Sequence, residues 1–233
     1  MIYGYSERGI FNSIIYYLDS KQEEQPKLIG EFLEKLGING FSNGKYEFTF
    51  LNEQSFSDFG DSDLTIIVKK NKTDEKPRAV VFIEGKVKTY SQNKFSLSNQ
   101  FDKIDEKEQY KGISSNIFVQ LYYKYLLVEK LDSENYQTES RIGKTTKKLG
   151  KNQIVKRGYE KIAKAQKYYY VAIIPKQKDD SKKITQYFED LKLLTDVKDN
   201  IRCASWQDIE AFFVEKNAKD IMENFEYNKG QIY

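Results

Sequence analysis

The tightest constraint on this chain is an unbroken apolar run, AVVFI at positions 79–83, followed at once by Glu84, Gly85 and Lys86. A strand with no polar alternation is one buried on both faces, so this run belongs in the interior of a sheet. A carboxylate at the end of such a strand needs a reason, because acids are almost never buried without a partner. Successive strand residues point to opposite faces, so Glu84 and Lys86 share one face and Gly85 takes the other.

The segment just before it, GDSDLTIIV at 60–68, begins acidic and becomes apolar. The strand expected at 64–68 is joined to the next, at 79–87, by a polar stretch containing Asn71, Asp74 and Pro77, which reads as a hairpin turn. Folding that hairpin symmetrically between Thr73 and Asp74 sets Asp63 opposite Glu84 and Asp61 opposite Lys86. Directly opposed side chains have Cβ atoms about 4.5 to 5.5 Å apart, where like charges repel unless something neutralises them. A divalent cation would do so. A slip of one residue would put the two carboxylates on opposite faces, so the reading depends on register.

Composition narrows the chemistry further. The chain has no histidine and one cysteine, Cys203. That excludes Ser-His-Asp and Cys-His catalysis, a histidine general base, His-ligated zinc and an intramolecular disulfide. Oxygen ligands alone suit hard cations, so any metal is expected to be Mg²⁺, with Mn²⁺ able to substitute. Such an ion would polarise a phosphoryl oxygen and activate water, and Lys86 would orient that water or stabilise charge developing on the phosphate. The net charge is only +3 over 233 residues, so any nucleic-acid surface has to be local. The length fits a single domain. No segment has the ~20 apolar residues of a membrane span, and the N-terminus has no secretory pattern, which makes the cytoplasm the expected compartment.

Along the chain, Ser6 is expected to cap a first helix carrying Ile10, Phe11, Ile14, Ile15 and Leu18, and a second helix spans 26–36 up to Gly37. A strand follows at 45–51 with an exit loop over 52–60. Beyond the hairpin, helices are expected at 98–110 and 115–131, a strand at 168–174, a helix at 184–194, a strand at 201–204, and a helix from Trp206 capped by Ser205 with Asp208. Trp206, Cys203 and Tyr168, Tyr169 and Tyr170 read as packing residues. The polar tail, about 217–233, is expected to fray.

Between Arg141 and Tyr159 there are seven basic residues and no acidic one: Arg141, Lys144, Lys147, Lys148, Lys151, Lys156 and Arg157. With Gly143 and Gly150 among them, the insertion at about 139–158 suits a flexible, salt-sensitive grip on phosphates, the bland alternative being a solvated loop.

Asp63 with LTII, then I-E84-G-K86, resembles the PD-(D/E)XK nuclease superfamily, whose signature is an acid opening one strand and an acid-x-Lys triplet on the next. The resemblance implies an α/β fold with a restriction-endonuclease-like core, a mixed central β-sheet flanked by α-helices. It also implies Mg²⁺ held by Asp63 and Glu84, and DNA as the substrate, with RNA left open. Two further matches extend it. Y5-S-E7-R-G-I-F resembles the first core helix of several families, where a Glu adds to the metal set, and Gln100 stands where some families carry a Gln after the triplet strand. Together they cover about the first 110 residues. The chain departs from the family pattern at Ser62, where the name has Pro, and Asp61 competes with Asp63 as ligand. For Glu7 the plain alternative is a favourable acid near a helix N-terminus, and for Gln100 a solvated helix face. The expectation is thus an Mg²⁺-dependent DNA endonuclease, in the restriction or defence class, with a homodimer as the arrangement many restriction-like enzymes use. The alternatives are a DNA-binding module of the same fold without turnover, and a purely structural α/β protein.

Overall fold

The computed structural model describes residues 4–88, 95–105, 115–176 and 183–232. Two helices come first, α1 (Ser6–Ser20) and α2 (Gln25–Lys35), followed by three strands, β1 (Glu47–Ser55), β2 (Asp61–Lys69) and β3 (Ala79–Gly85). Then come α3 (Leu97–Asp105), α4 (Ile117–Tyr125), the short hairpin β4 (Gln137–Ser140) and β5 (Thr145–Lys148), and α5 (Gln153–Ile162). The chain finishes with β6 (Tyr168–Ile174), α6 (Ile184–Asp190), β7 (Ile201–Ser205), α7 (Trp206–Glu215), α8 (Lys219–Tyr227) and α9 (Lys229–Ile232).

The central sheet has five strands in the order β1-β2-β3-β6-β7. The first three are antiparallel, whereas β3, β6 and β7 are parallel, so the sheet is mixed. β3 sits in the middle, and every one of its residues is buried, as its unbroken apolar run requires. Alternation along the strands then sends side chains into two cores. Val81, Ile83, Leu64, Ile66, Val171 and Ile173 meet α1, α2 and α7 on one face. Val80, Phe82, Ile67, Tyr168, Tyr170 and Ala172 meet α4 and α6 on the other. No helix among the described residues is long and apolar enough to cross a membrane.

The β2–β3 ladder runs Leu64 to Ile83, Thr65 to Phe82 and on to Val68 with Ala79, which is the symmetric register. β6 lies at 168–174 with all seven residues buried, and the Ser205–Asp208 capping box is formed. Other boundaries differ. Ser6 does not cap α1: Tyr5 is the N-cap, and Ser6 is the first helical residue with φ +64°. Its N–H donates instead to Asn228 Oδ1 at 3.0 Å, so the helix end is satisfied from across the fold. β1 continues to Ser55 because its partner β2 extends back to Asp61, leaving only a 3₁₀ turn, Ser57–Phe59, between them. α4 passes at Tyr125 into a π-helical turn, Leu126–Lys130. α6 stops at Asp190, and the chain reverses through Lys192 and Leu194, both at positive φ. α3 is described to Asp105; the remainder of the expected helix at 106–110 lies outside the described residues.

Three expectations are corrected. The expected tail is helical over Lys219–Tyr227 and Lys229–Ile232, not frayed: Ile221, Phe225 and Ile232 are buried beneath its polar surface, and Asn224 Nδ2 donates to Gly9 O of α1, while Tyr233 lies outside the described residues. The basic insertion is regular structure, the β4–β5 hairpin followed by α5, because Leu149, Val155 and Ile162 anchor it in the core. Cys203 is exposed, since β7 is an edge strand with less cover than its neighbours.

Candidate functional site

The acidic end of β2 and the carboxyl end of β3 meet at one end of the sheet. Extending the ladder one step past Leu64 and Ile83 sets Asp63 beside Glu84, both on the α4 face. The ladder stops there because a side chain takes over: the Gly85 N–H donates to Asp63 Oδ2 at 2.7 Å. Asp63 is half-buried and tied to the Glu84 strand. Asp61 is exposed, and only its backbone carbonyl takes part. Of the two acids, Asp63 is therefore the one the fold sets beside Glu84.

Glu84 has no exposed surface; its Oε2 has no hydrogen-bond donor, and its Oε1 meets only the Lys124 ammonium. Burial pushes its carboxyl up from 4.5 to about 7, against the pull of the Lys124 and Lys86 charges and with a further push from Asp63. The charged group closest to it is one the sequence reading missed. Lys124 on α4 is fully buried, and its Nζ lies 3.3 Å from Glu84 Oε1 as an ion pair. Nζ also donates to Phe59 O at 2.9 Å and Asp61 O at 3.1 Å. The signal was available: Ile117, Leu121, Lys124 and Val128 fall three to four residues apart, so a lysine interrupts an apolar helical stripe that faces the sheet.

Lys86 is half-buried and close enough for its charge to act on Glu84. Its backbone is pinned on both sides, the N–H donating to Ile173 O at 2.8 Å and the carbonyl accepting from Trp206 Nε1 at 2.7 Å. Trp206 is therefore more than packing, since it holds the strand end that carries Lys86. Glu7 sits on the opposite face, over Gly85: a Cβ placed on that glycine would be 3.1 Å from Glu7 Cβ and 2.8 Å from Phe11 Cε2. Glycine here lets α1 approach the triplet strand. Gln100 is not at the carboxylates in this structure. Its Oε1 accepts from the Ile117 N–H at 3.4 Å and its backbone carbonyl from Asn116 Nδ2 at 2.7 Å, so it braces the N-terminus of α4. That helix carries Lys124, which makes the link to the site indirect.

The basic hairpin lies one short turn away. Lys148 N–H donates to Asp58 Oδ2 at 3.0 Å and Gly150 N–H to Ser57 Oγ at 2.9 Å, so the Ser57–Phe59 turn is bonded to the hairpin on one side and to Lys124 on the other. Lys144, Lys148, Lys151, Lys156 and Arg157 are exposed, and Lys147 lies over the Tyr123 ring at 4.3 Å. Arg141 is engaged with the Lys192 carbonyl.

Donor chemistry tests whether a hard cation fits. Asp63 and Glu84 offer two carboxylates, and Glu84 Oε2 is buried without a donor, the condition a bound cation would relieve. Among the described residues no group of three or more Asp, Glu, Cys or His side chains is clustered to hold an ion, so the fit rests on this pair, the usual protein share of an Mg²⁺ site completed by water and phosphate. No family model, curated protein or solved structure matches the chain.

Proposed function

We propose that this chain is a divalent-metal-dependent nuclease of PD-(D/E)XK type, with Mg²⁺ or Mn²⁺ as its metal and DNA as its substrate. The observation that carries the reading is Glu84, a buried carboxylate whose Oε2 has no hydrogen-bond donor, set beside Asp63 at the end of the central strand. Two helices, three antiparallel strands, a helical segment interrupted by the β4–β5 hairpin, and the parallel strand β6 with α6 precede β7, and with the insertions set aside this order is similar to a restriction-endonuclease-like core.

Asp63 and Glu84 would hold the ion, which would supply Lewis acidity toward a phosphoryl oxygen and lower the pKa of bound water. Lys86, with its backbone pinned by Ile173 and Trp206, would present its ammonium to the attacking water or the phosphate. Gly85 keeps Asp63 in place by donating its N–H to the carboxylate. The exposed cations of β5 and α5 would hold the phosphate backbone next to the carboxylates.

A second reading, a DNA-binding module without turnover, draws on Lys124, which already neutralises Glu84 without any metal. One experiment separates them. Purified protein is incubated with plasmid DNA and Mg²⁺ or Mn²⁺ beside Glu84→Gln and Lys86→Ala. Cleavage that needs metal and disappears in both variants is expected. DNA retention without cleavage points to the module, and neither activity in folded protein overturns both readings.

A further inference from the structure

A lysine with no exposed surface costs several kcal/mol of desolvation, and a well-packed apolar residue at the same helical position is often as stabilising or more so. Lys124 therefore calls for a purpose beyond holding the fold. Its ammonium sits inside a set of oxygens, Phe59 O, Asp61 O and Glu84 Oε1, at 2.9, 3.1 and 3.3 Å. Those oxygens come from the turn before β2, the first residue of β2 and the last residue but one of β3. The loop wraps Nζ closely, with Gly60 at φ +75° between the two carbonyls. This is how a small cation would be surrounded, with the cation covalently attached to α4.

Charge sets what else the site accepts. On the α4 face of the strand ends, Asp63 and Glu84 stand with Lys86 and Lys124; Glu7 lies across the sheet over Gly85, and Asp61 is exposed and screened by water. Two acids against two lysines leave no net charge. One divalent ion turns that into two positive charges, of which a phosphodiester group neutralises one. A second divalent ion would leave the half-buried pocket with a large positive excess, and the oxygen set it would need is already filled.

Building on the nuclease reading, we propose that Lys124 is a positioning residue that serves as the fixed second cation of the site, so that the Asp63–Glu84 pair takes a single divalent ion. It does this while locking the turn that delivers Asp63 onto the strand that carries Glu84.

The test is a titration of the full-length, metal-free protein with Mn²⁺, with free ion followed by electron paramagnetic resonance. One Mn²⁺ per chain is expected for the unaltered protein and for Lys124→Arg, and two for Lys124→Gln, whose vacated oxygens take up the second ion. Two ions in the unaltered protein, or a single ion in folded Lys124→Gln, overturns the inference while leaving the nuclease reading intact. No Mn²⁺ binding by the unaltered protein overturns both. Where circular dichroism shows that Lys124→Gln is unfolded, Lys124→Ser is counted in its place, with two ions expected and a single ion overturning the inference.

Discussion

The Lys124 ammonium lies 3.3 Å from the Glu84 carboxylate, and neither side chain exposes any surface. Removing one partner of such a pair strands the other charge, at a cost of about 3 to 5 kcal/mol, whereas replacing both by apolar residues of similar volume is close to neutral. Lys124→Met is thus expected to lower stability by that amount and Lys124→Met with Glu84→Met to recover most of it. Urea denaturation of the three proteins reads the difference. A double variant as unstable as the single one would contradict the burial argument.

Glu84 also predicts a pH dependence. An acid whose carboxyl is raised from 4.5 to about 7 on folding binds its proton more tightly in the folded state. Its favourable contribution is complete below pH 4.5 and declines as pH rises to about 7, a loss of roughly 3 kcal/mol at about 1.4 kcal/mol per unit. Most of the drop falls between pH 5 and pH 7. Glu84→Gln has no proton to lose, so its stability between those values should be flatter than that of the parent, as measured by unfolding at each pH.

Gly85 is predicted to resist even the smallest side chain. A Cβ there would come within 2.8 Å of Phe11 Cε2 and 3.1 Å of both Glu7 Cβ and Trp206 Cζ2, all on the packed face of the strand. Gly85→Ala is expected to cost about 1 to 3 kcal/mol as overpacking. Trimming the ring with Phe11→Leu should recover part of that loss in a double-mutant cycle. Additive effects of the two substitutions would show that the close approach of the ring is not the cause.

The exposed cations of β5 and α5 make a separate claim. If they hold phosphate, replacing Lys148, Lys151, Lys156 and Arg157 by Ala should flatten the dependence of DNA affinity on salt by about 0.9 in log–log slope for each phosphate no longer neutralised. Fluorescence anisotropy with a labelled duplex over a range of NaCl gives the slope. An unchanged slope would mean that these side chains are only solvated.

Local pattern was the legible part of this molecule. The apolar run before Glu84 specified a buried central strand, the symmetric turn specified its register with β2, and Ser205 with Asp208 specified the cap of α7. Long-range partners were not legible. Asn228 satisfies the α1 end that Ser6 was expected to cap, because a tertiary partner outcompetes a local one without leaving a mark in the local sequence. The 217–233 segment looks polar when read linearly, yet Ile221 and Phe225 fall on one helical face and fill a core built by distant residues. Lys124 was visible as an interruption in an apolar stripe, but its meaning came only from carbonyls brought to it by the Ser57–Phe59 turn. Gln100 was placed correctly on its helix, and only the fold reveals that it braces α4.

The parallel pairing of β3 with β6 has a kinetic consequence. The hairpin of β2 and β3 is local and can form early, but the other edge of β3 stays open until Tyr168–Ile174 has emerged and the long intervening segment has closed, a slow step for any chain. Lys124 belongs to that intervening segment. Until it docks, Glu84 is an ordinary solvated acid on a sticky, half-paired strand, and the AVVFI run is open to other chains. The sequence that makes the central strand also makes the nascent protein depend on its second half arriving before a neighbour does.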